Sequence, residues 1–459
     1  MAKYKKALYI FRRDLRIDDN TGLINALKTS KEVIPLFVFD ERQRGHEYFS
    51  NNAFEFMLNS LDELEKELQK KGAELVVLEG NLELILKDLK ELEDIDAIFI
   101  NSDYTPFSKV RDAQIRNICE KLDISLIENH DYLLNPPGSV LNAQGEPYKV
   151  ATAFQNKAMT IDVEKPRSNK YTNYAKSKIN KKAKIGVREK NPHIMVRGGR
   201  VEGLKLMREI ENKKDYDTNR DFVFEDATTK LSAHLKFGTI SVRELYWHLR
   251  AKFYFAHPLI KQLYWRDFFT HIAYFYPKVF KESFREEFKN IEWWGKKDEL
   301  DAWMQGKTGF PIVDAAMRQI NKTGWMHGRA RMIVGSFLVK NLGINWRLGE
   351  KYFAQKLVDY DPCLNNGNWQ WVASTGCDAQ PFFRIFNPQL QQKKFDKDCK
   401  YIKKWLPELE NTSNFEIHNF LNKPLSYAKP IINYKDSIIK AKNEFKKAFE
   451  KHKKNTHEA

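Results

Sequence analysis

Short, unbroken runs of apolar residues alternate with helix-like segments through the first 130 residues. The runs are rich in β-branched and aromatic side chains and lie at residues 7–11, 33–39, 75–78 and 95–100. Segment 54–68 places its apolar side chains at steps of three or four, which predicts an amphipathic helix, and a further helix is predicted after Phe107. Unbroken apolar strands are typical of a parallel sheet covered on both faces. The pattern therefore predicts a doubly wound α/β domain over residues 1–130.

A different pattern begins near residue 131. The NPPG loop signal at 135–138 and a stretch at 167–190 that is dense in Lys, Asn and Ser predict an interdomain connection over residues 131–199. From residue 200 apolar side chains recur at helical spacing, in segments 203–212, 242–255, 260–275, 312–321, 328–342 and 349–360. An all-helical domain is therefore predicted over residues 200–459. Its Lys-rich final helix is predicted to dock through one apolar stripe, formed by Ile438, Ala441, Phe445 and Phe449.

Charge is distributed unevenly between these two halves. The chain has 77 Lys plus Arg against 61 Asp plus Glu, a formal charge of +16. Residues 1–130 hold 19 basic and 25 acidic side chains, or −6, so the remainder carries +22. All ten tryptophans lie in that basic remainder. Nucleic-acid-binding proteins typically use Lys and Arg to bind phosphates and aromatic rings to stack on bases. A basic globular protein with its tryptophans in the core would have the same composition.

Several classes of protein are poor fits. No apolar stretch approaches the roughly 18 residues that a membrane helix needs, and the start, MAKYKKALYIF, is interpreted as a first strand rather than a signal peptide. The four cysteines form no CxxC pair, so we expect neither a disulfide scaffold nor a zinc ribbon, but a reducing cytoplasm. The turn after the first predicted strand, RRDLRIDDN, lacks GxGxxG, so a standard dinucleotide site is not expected there.

Charged candidates for binding chemistry concentrate in the helical half. Arg329 and Arg331 lie two residues apart, about 200° around a helix, so one can meet an external anion while the other needs an internal carboxylate. Asp359 and Asp361 are predicted to end a helix that Pro362 stops, where each would oppose the helix dipole and need a partner. A metal site on this pair is not expected, because no further carboxylate or histidine cluster supports it.

Three further groups of residues supply amides, hydroxyls and aromatic rings together with a few cations. Segment 365–371, NNGNWQW, predicts an amide-rich turn whose donors and acceptors suit a heterocycle. Tyr216, Arg220 and segment 228–232, TTKLS, offer hydroxyls and backbone donors that suit a diphosphate. Segment 262–266, QLYWR, adds an amide, a large aromatic ring and a cation.

Together these motifs resemble the photolyase/cryptochrome family, most closely microbial class I cyclobutane pyrimidine dimer photolyases. The resemblance spans essentially the whole chain. In chain order it rests on FRRDLRIDDN, NSDYTPFSKVRD, GGRVEGL, TTKLSAHLKFGTIS, QLYWRDFF, GFPIVDAAMRQI, GWMHGRARMIVGSFLVK, DYDPCLNNGNWQWVASTG and FFRIFNPQLQQKKFD.

The resemblance implies an α/β antenna domain followed by a helical domain that binds FAD. It implies a lyase, a deoxyribodipyrimidine photo-lyase, in which blue light drives an electron from reduced FADH⁻ to a dimer flipped out of DNA. The ring splits and the electron returns, so there is no net redox change. DNA with pyrimidine dimers is the implied partner, and a monomer is expected. A second chromophore at the antenna domain is left open: a folate, a deazaflavin, a second flavin or none would fit.

The resemblance also implies roles for individual residues. FAD would be held by Tyr216, Thr228, Thr229, Lys230, Leu231, Ser232, Arg266, Arg331, Asp359, Tyr360, Asp361 and Asn365. Within that set Arg331 and Asp359 would pair beside the isoalloxazine ring, and Asn365 would face its N5 and count as catalytic. The lesion pocket would be formed by Gln262, Trp265 and Met332, which also count as catalytic, and by Trp371, with the two tryptophans stacking on the damaged bases. DNA would also be contacted by Arg220, Arg329, Arg384 and Lys394. Electrons would reach oxidised flavin through Trp293, Trp346 and Trp369, and Trp294 leaves the outermost member open.

Two departures keep alternatives open. Dimer photolyases usually have Glu where this chain has Gln262, and Gly328 replaces an Asn common in the class. Enzymes that repair (6-4) photoproducts typically have two histidines at the positions of Gly328 and Met332, which argues against that activity. Cryptochromes, the signalling members, tend to carry Asp or Cys at the position of Asn365 and long C-terminal extensions. A flavoprotein or DNA binder without catalysis is the remaining alternative.

Overall fold

The computed structural model describes residues 2–179, 183, 185–186, 190–225, 227–423 and 425–457. The chain forms two compact units. The first comprises Met1–Lys190, Val196–Asn212 and Thr229–Phe275, and the second comprises Asn191–Met195, Lys213–Thr228 and Tyr276–Ala459. The domain boundaries expected near residues 130 and 199 stay a prediction.

A parallel sheet organises the first unit. Its strands are β1 (Tyr4–Phe11), β2 (Ser30–Phe39), β3 (Val76–Glu79), β4 (Ala97–Asn101) and β5 (Ser125–Asn129). They lie in the order β3-β2-β1-β4-β5, and all neighbours are parallel. Leu8 of β1 lies in register with Ile34 of β2 and Ile98 of β4, and all three side chains are buried. The order reverses between β1 and β4, which is the topology of a doubly wound sheet.

The α-helices follow one another along the whole chain. They are α1 (Thr21–Thr29), α2 (Glu41–Arg44), α3 (Asn51–Lys70), α4 (Leu82–Glu93), α5 (Pro106–Lys121), α6 (Ala151–Ala158), α7 (Arg200–Glu209), α8 (Tyr216–Asn219), α9 (Ser232–Phe237), α10 (Val242–Lys252), α11 (Pro258–Phe275), α12 (Lys297–Gln305), α13 (Pro311–Thr323), α14 (Gly328–Ser336), α15 (Trp346–Lys356), α16 (Pro362–Ala373), α17 (Pro388–Phe395), α18 (Lys400–Trp405), α19 (Asn414–His418) and α20 (Tyr434–His457). Short 3-10 turns occur at Ile210–Asn212, Pro277–Phe280, Glu286–Phe288 and Pro407–Leu409, and α14 continues as a π-helix at Phe337–Asn341.

A buried ionic network holds α10 against the sheet within the first unit. Arg16, from the turn after β1, and Arg243 of α10 both donate to Asp131, at 2.5 and 2.7 Å. Arg243 also donates to Asp19 at 3.1 Å. Burial acts to raise the pKa of Asp131, but the two guanidinium groups outweigh it and hold that pKa below its usual range. The turn after β1, the segment after β5 and α10 are thereby fixed together.

The second unit has its own apolar core. α13 buries Ile312, Val313 and Met317 completely, and the π-helical continuation of α14 buries Phe337 and Leu338 against them. The C-terminal helix packs on this core, as the apolar stripe predicts: Ala441 and Phe445 are buried, while Lys442 between them is exposed.

The predicted fold class, an α/β region followed by a helical region, is confirmed. The edge strand β5 was not predicted, since it is half-exposed and lacks an unbroken apolar run. Helices α1, α4 and α6 were not predicted either. The expected surface connection at 167–190 lies partly outside the described residues. Among the residues described, no helix is long and apolar enough to cross a membrane.

Candidate functional site

Two arginines leave α14 in different directions. The helix begins at Gly328, where His327 accepts a hydrogen bond from the Arg329 backbone N–H at 3.1 Å. Burial lowers the pKa of His327 to about 4, which keeps the ring neutral and able to accept that bond. Arg331 donates from Nε to the Met326 carbonyl at 2.9 Å and from Nη2 to both Asp359 oxygens, at 3.2 and 3.0 Å. The predicted ion pair between Arg331 and Asp359 is therefore present.

Arg329 also has a carboxylate partner, which the sequence did not indicate. Its Nη2 donates to Asp221 at 2.6 Å, and its guanidinium carbon lies 4.5 Å from the centroid of the Phe395 ring. The expectation that only one of the two arginines needs a carboxylate is wrong. Asp221 follows the predicted DNA contact Arg220 directly, and that adjacent opposite charge was the available signal.

The expectation that Asp359 and Asp361 end a helix is wrong. α15 ends at Lys356, and Asp361 instead caps the start of α16, where its Oδ1 accepts from the Leu364 N–H at 3.0 Å. Pro362 occupies the first helical position, where a missing N–H costs nothing. A carboxylate at a helix N-terminus is stabilised by the helix dipole. Asp361 therefore needs no further cation, and Asp359 has one in Arg331.

The amide-rich segment is part of α16 rather than a turn, so that prediction is also wrong. Asn366 and Gln370 are buried and both donate to the Val279 carbonyl at 3.0 Å, which holds the helix in the second unit. Asn365 is half-buried and donates to the Glu350 carbonyl at 3.0 Å, which fixes the plane of its carboxamide. Asn366 and Gln370 thus have structural contacts, and Asn365 remains the candidate for ligand contact.

The three tryptophans predicted to form an electron relay differ in burial. Trp369 and Trp346 are buried at 3 % and 2 % exposure, whereas Trp293 is half-buried and contacts Phe445 of α20 at 6.2 Å between ring centroids. A fully buried neighbour of Trp369 was not singled out by the sequence: Trp303, whose ring centroid lies 6.3 Å from that of Trp369. The half-buried Trp294 covers Gly343, and the choice between Trp293 and Trp294 stays open.

The predicted contacts of the first unit lie on α11 and before α9. Gln262 is exposed and Trp265 is half-buried, one helical turn further along α11 on the same side. Arg266 is buried, donates to the Tyr132 carbonyl at 2.7 Å and lies 3.7 Å from the Tyr132 ring centroid. Lys230 adopts a left-handed backbone with φ of 56°, a conformation that costs a non-glycine residue about 1–2 kcal/mol. Thr229, Leu231 and Ser232 flank that turn.

The remaining predicted residues belong to the second unit. Tyr216 is buried, Thr228, Tyr360, Met332 and Trp371 are half-buried, and Arg220 lies 5.8 Å from the Tyr216 ring centroid. Arg384 and Lys394 are exposed cations. The predicted set is thus divided between the two units, and within the second unit Arg331 and Asp359 are brought into direct contact.

A further candidate site at the sheet was missed by the sequence. At the carboxyl ends of β1 and β4, Arg13 donates to Asp103 at 3.1 Å and to the Tyr132 hydroxyl, and Arg12 pairs with Asp112. Ligands of doubly wound sheets bind at this point of strand reversal. The two arginines directly after the first strand, Arg12 and Arg13, were the available signal.

Comparison with known proteins identifies the family. Residues 7–169 match the family model described as DNA photolyase, and residues 259–454 match the FAD binding domain of DNA photolyase. A deoxyribodipyrimidine photo-lyase of Alkalihalophilus pseudofirmus is 34 % identical, covering 89 % of this chain and 88 % of that protein. The chain belongs to the DNA photolyase family.

Solved structures of photolyases and a cryptochrome share its fold. The Sulfolobus tokodaii photolyase, described with two FAD molecules and a novel light-harvesting cofactor, is 41 % identical with a TM-score of 0.87, covering 96 % of this chain and 100 % of that one. The Agrobacterium tumefaciens class III photolyase is 31 % identical with a TM-score of 0.90, covering 98 % of each chain. The Synechocystis cryptochrome is 27 % identical with a TM-score of 0.87, covering 96 % of this chain and 99 % of that one.

Proposed function

We propose that this protein is a deoxyribodipyrimidine photo-lyase that uses blue light to split cyclobutane pyrimidine dimers in DNA. The observation that carries the proposal is the Arg331–Asp359 ion pair with the half-buried Asn365 close behind it in the chain. Curated relatives of that name, about 34 % identical over most of both chains, support it.

The donor set suits a reduced, anionic flavin nucleotide. Arg331 contributes a cation whose direction is fixed by Met326 and Asp359, and Asn365 contributes a neutral amide whose plane Glu350 fixes. A cation stabilises negative charge on a ring system, and a neutral amide adds a hydrogen bond without further charge. When bound, reduced FAD supplies the light-excited electron that splits the cyclobutane ring, and it takes that electron back.

The phosphate end of the cofactor would be held elsewhere in the chain. Following the family resemblance, we assign this role to Tyr216, Thr228, segment 229–232 and Arg266, whose hydroxyls, backbone N–H groups and cation suit a diphosphate. The left-handed backbone at Lys230 supports this assignment, because strained residues cluster at ligand-binding turns. Tyr360 and Asp361 would lie toward the adenine side.

The damaged bases would contact two tryptophan rings and the amide of Gln262. Trp265 on α11 and Trp371 on α16 are half-buried, so part of each ring is accessible to a base, and Met332 is half-buried on α14. Gln262 shares a face with Trp265 and presents an exposed amide that can read the edge of a base. Stacking on an aromatic ring contributes roughly 1–3 kcal/mol per base.

Trp293, Trp346 and Trp369 would carry electrons inward from the surface when the flavin is oxidised. Two buried rings and one half-buried ring match a path from solvent into the core.

Placement in the cytoplasm is proposed from the four buried cysteines, all of which are free thiols. A monomer is proposed from the family alone.

A second chromophore is proposed at the carboxyl ends of β1 and β4. Arg12 and Arg13 lie there, paired with Asp112 and Asp103, and the neighbour from Sulfolobus tokodaii is described with two FAD molecules. The chemical identity of such a chromophore in this chain is left to extraction and mass spectrometry of the purified protein.

The competing function is repair of (6-4) photoproducts, and Gln262 is the residue that favours it. Purified, photoreduced protein should be mixed with oligonucleotides that contain one thymine dimer or one (6-4) photoproduct, in blue light and in darkness. Loss of the dimer in light alone supports the proposal. Loss of the (6-4) product alone would establish the competing function, and bound flavin without loss of either lesion would favour a cryptochrome.

A further inference from the structure

A group of basic and aromatic side chains on the second unit lies outside the roles proposed so far. It consists of Phe224, Lys400 and Lys404, called here the lysine patch. The Lys400 and Lys404 ammonium nitrogens lie 5.8 and 5.9 Å from the Phe224 ring centroid. Phe224 is 44 % exposed, so the ring lies at the protein surface. The ring thus holds two cations together at the protein surface.

The geometry of α18 aligns the two cations. Lys400 and Lys404 are four residues apart, so they project from the same face of the helix, about 6 Å apart along its axis. Both side chains are exposed. Duplex DNA carries its phosphates as a regular row of negative charges, and two aligned ammonium groups complement such a row.

Within segment 393–404 the acidic side chains leave an excess of positive charge. Segment 393–404 contains six lysines against Asp396 and Asp398. Asp396 is buried and accepts from the Tyr401 and Ile402 backbone N–H groups at 2.9 Å each, so it stabilises the start of α18. Asp398 lies 3.9 Å from Lys400, but both side chains are largely exposed, and such pairs are weak.

The lysine patch continues into the proposed DNA-binding surface. Phe222, two residues before Phe224, contacts the Phe395 ring at 6.4 Å. That same ring is covered by Arg329 at 4.5 Å and by Lys394 at 5.2 Å, both proposed contacts of DNA phosphates. The segment 222–224 therefore connects the lysine patch, through the Phe395 ring, with Arg329 and Lys394.

We propose that Lys400 and Lys404, aligned by Phe224, bind phosphates of the duplex that flanks the lesion. The proposal rests on the proposed function for the identity of the partner, DNA, and adds to it a contact that is independent of damage. Phe224 acts as a positioning residue, because it touches the two cations.

The test is DNA binding in darkness by the Lys400→Gln/Lys404→Gln variant of the full-length protein, with and without a thymine dimer in a long duplex. Two phosphate contacts contribute about 1.8 to the slope of log affinity against log salt. The variant should lose that part of the slope, so a fourfold rise in salt should cost it about tenfold less affinity than it costs the wild type. The loss should be equal on damaged and undamaged duplex.

Lys66→Gln/Lys70→Gln is the matched control. These exposed lysines have the same spacing on α3 of the first unit, so the change in net charge is the same. Asp398→Asn should act in the opposite direction and strengthen binding, because it removes the acidic neighbour of Lys400. An unchanged salt slope in the Lys400/Lys404 variant, or an equal change in the control, would overturn the proposal.

Two further outcomes distinguish an error in the partner of the lysine patch from an error in the proposed function. If the variant binds duplex DNA like the wild type but loses affinity for RNA or for an acidic protein, the patch has another partner and the proposal is wrong. If the protein repairs no lesion in light while the variant still shows the flatter slope on undamaged duplex, the lysine patch stands and the proposed function fails.

Discussion

The guanidinium of Arg331 donates from a single nitrogen to both carboxylate oxygens of Asp359, over 3.2 and 3.0 Å. The Asp359 side chain is 4 % exposed and that of Arg331 is 29 % exposed. The carboxylate is therefore enclosed, while part of the cation remains accessible to a ligand. Because Arg331 is the more exposed partner, its positive charge is available to an anionic ligand that binds beside the pair.

Asp359→Asn should weaken FAD binding by about 10- to 100-fold, because a hydrogen bond to a charged group contributes roughly 1.5–3 kcal/mol. Fluorescence titration of FAD into the apoprotein measures the change. Asp221→Asn breaks the corresponding pair of Arg329 and serves as the control, which should bind FAD like the wild type. Equal FAD affinity in wild type and Asp359→Asn would remove this pair from the cofactor site.

Trp369→Phe should slow light-driven reduction of oxidised flavin strongly, yet leave repair by previously reduced enzyme nearly intact. Transient absorption and a single-turnover repair assay measure the two steps separately. Trp303→Phe is the matched control, since Trp303 is a fully buried tryptophan in contact with Trp369 but has no place in the proposed relay. Equal loss of both activities in Trp369→Phe would contradict the relay role.

Arg329→Gln and Asp221→Asn should change DNA affinity in opposite directions. Loss of Arg329 removes a cation and should reduce the salt slope of binding by about 0.9. Loss of the Asp221 charge frees Arg329, which it now holds at 2.6 Å, and should strengthen binding. Fluorescence anisotropy over a range of salt concentrations measures both. Weaker binding in both variants would show that the pair acts as a structural unit instead.

Asp267 should make stability depend on pH. It is fully buried, accepts from the Asn135 N–H at 2.8 Å and lies 3.9 Å from Arg266. At that distance the cation does not offset burial, which raises the pKa of Asp267 to about 7. The folded protein therefore holds this proton more tightly than the unfolded chain, whose aspartates titrate near about 4.

The contribution of Asp267 to stability is present at low pH and is lost as the pH rises through about 7. Urea unfolding between pH 5 and 8 should show that the free energy of unfolding of the wild type falls as the pH rises. The fall should be smaller in Asp267→Asn. Asp88→Asn, which changes an exposed carboxylate on α4, should decline like the wild type. A wild-type decline that persists in Asp267→Asn would assign the pH dependence to another group.

The sheet could be predicted because its central strands are buried on both faces. Leu8, Ile34 and Ile98 belong to runs that have no polar interruption, and burial on both sides requires such runs. Edge strand β5 has no such requirement, so its half-exposed sequence carries little signal.

The Arg331–Asp359 pair was predictable from the sequence, whereas the local geometry around it was not. Helical spacing alone separates Arg329 from Arg331. Asp361 starts α16 because its side chain accepts a hydrogen bond from the Leu364 backbone N–H. The spacing of apolar residues along the sequence does not reveal such a bond. The amides at 365–371 were misassigned for a related reason: Asn366 and Gln370 are satisfied by the Val279 carbonyl, a long-range partner, and therefore tolerate a helix.

The most direct test of the account is the number of dimers split per bound flavin when no electron donor is present. Photoreduced protein, kept free of oxygen and of external reductant, should be illuminated with an excess of thymine-dimer oligonucleotide while the flavin spectrum is recorded. The account predicts many dimers split per flavin, with the spectrum of reduced flavin unchanged at the end. One dimer or fewer per flavin, with the flavin left oxidised, would contradict it, because the electron would not return.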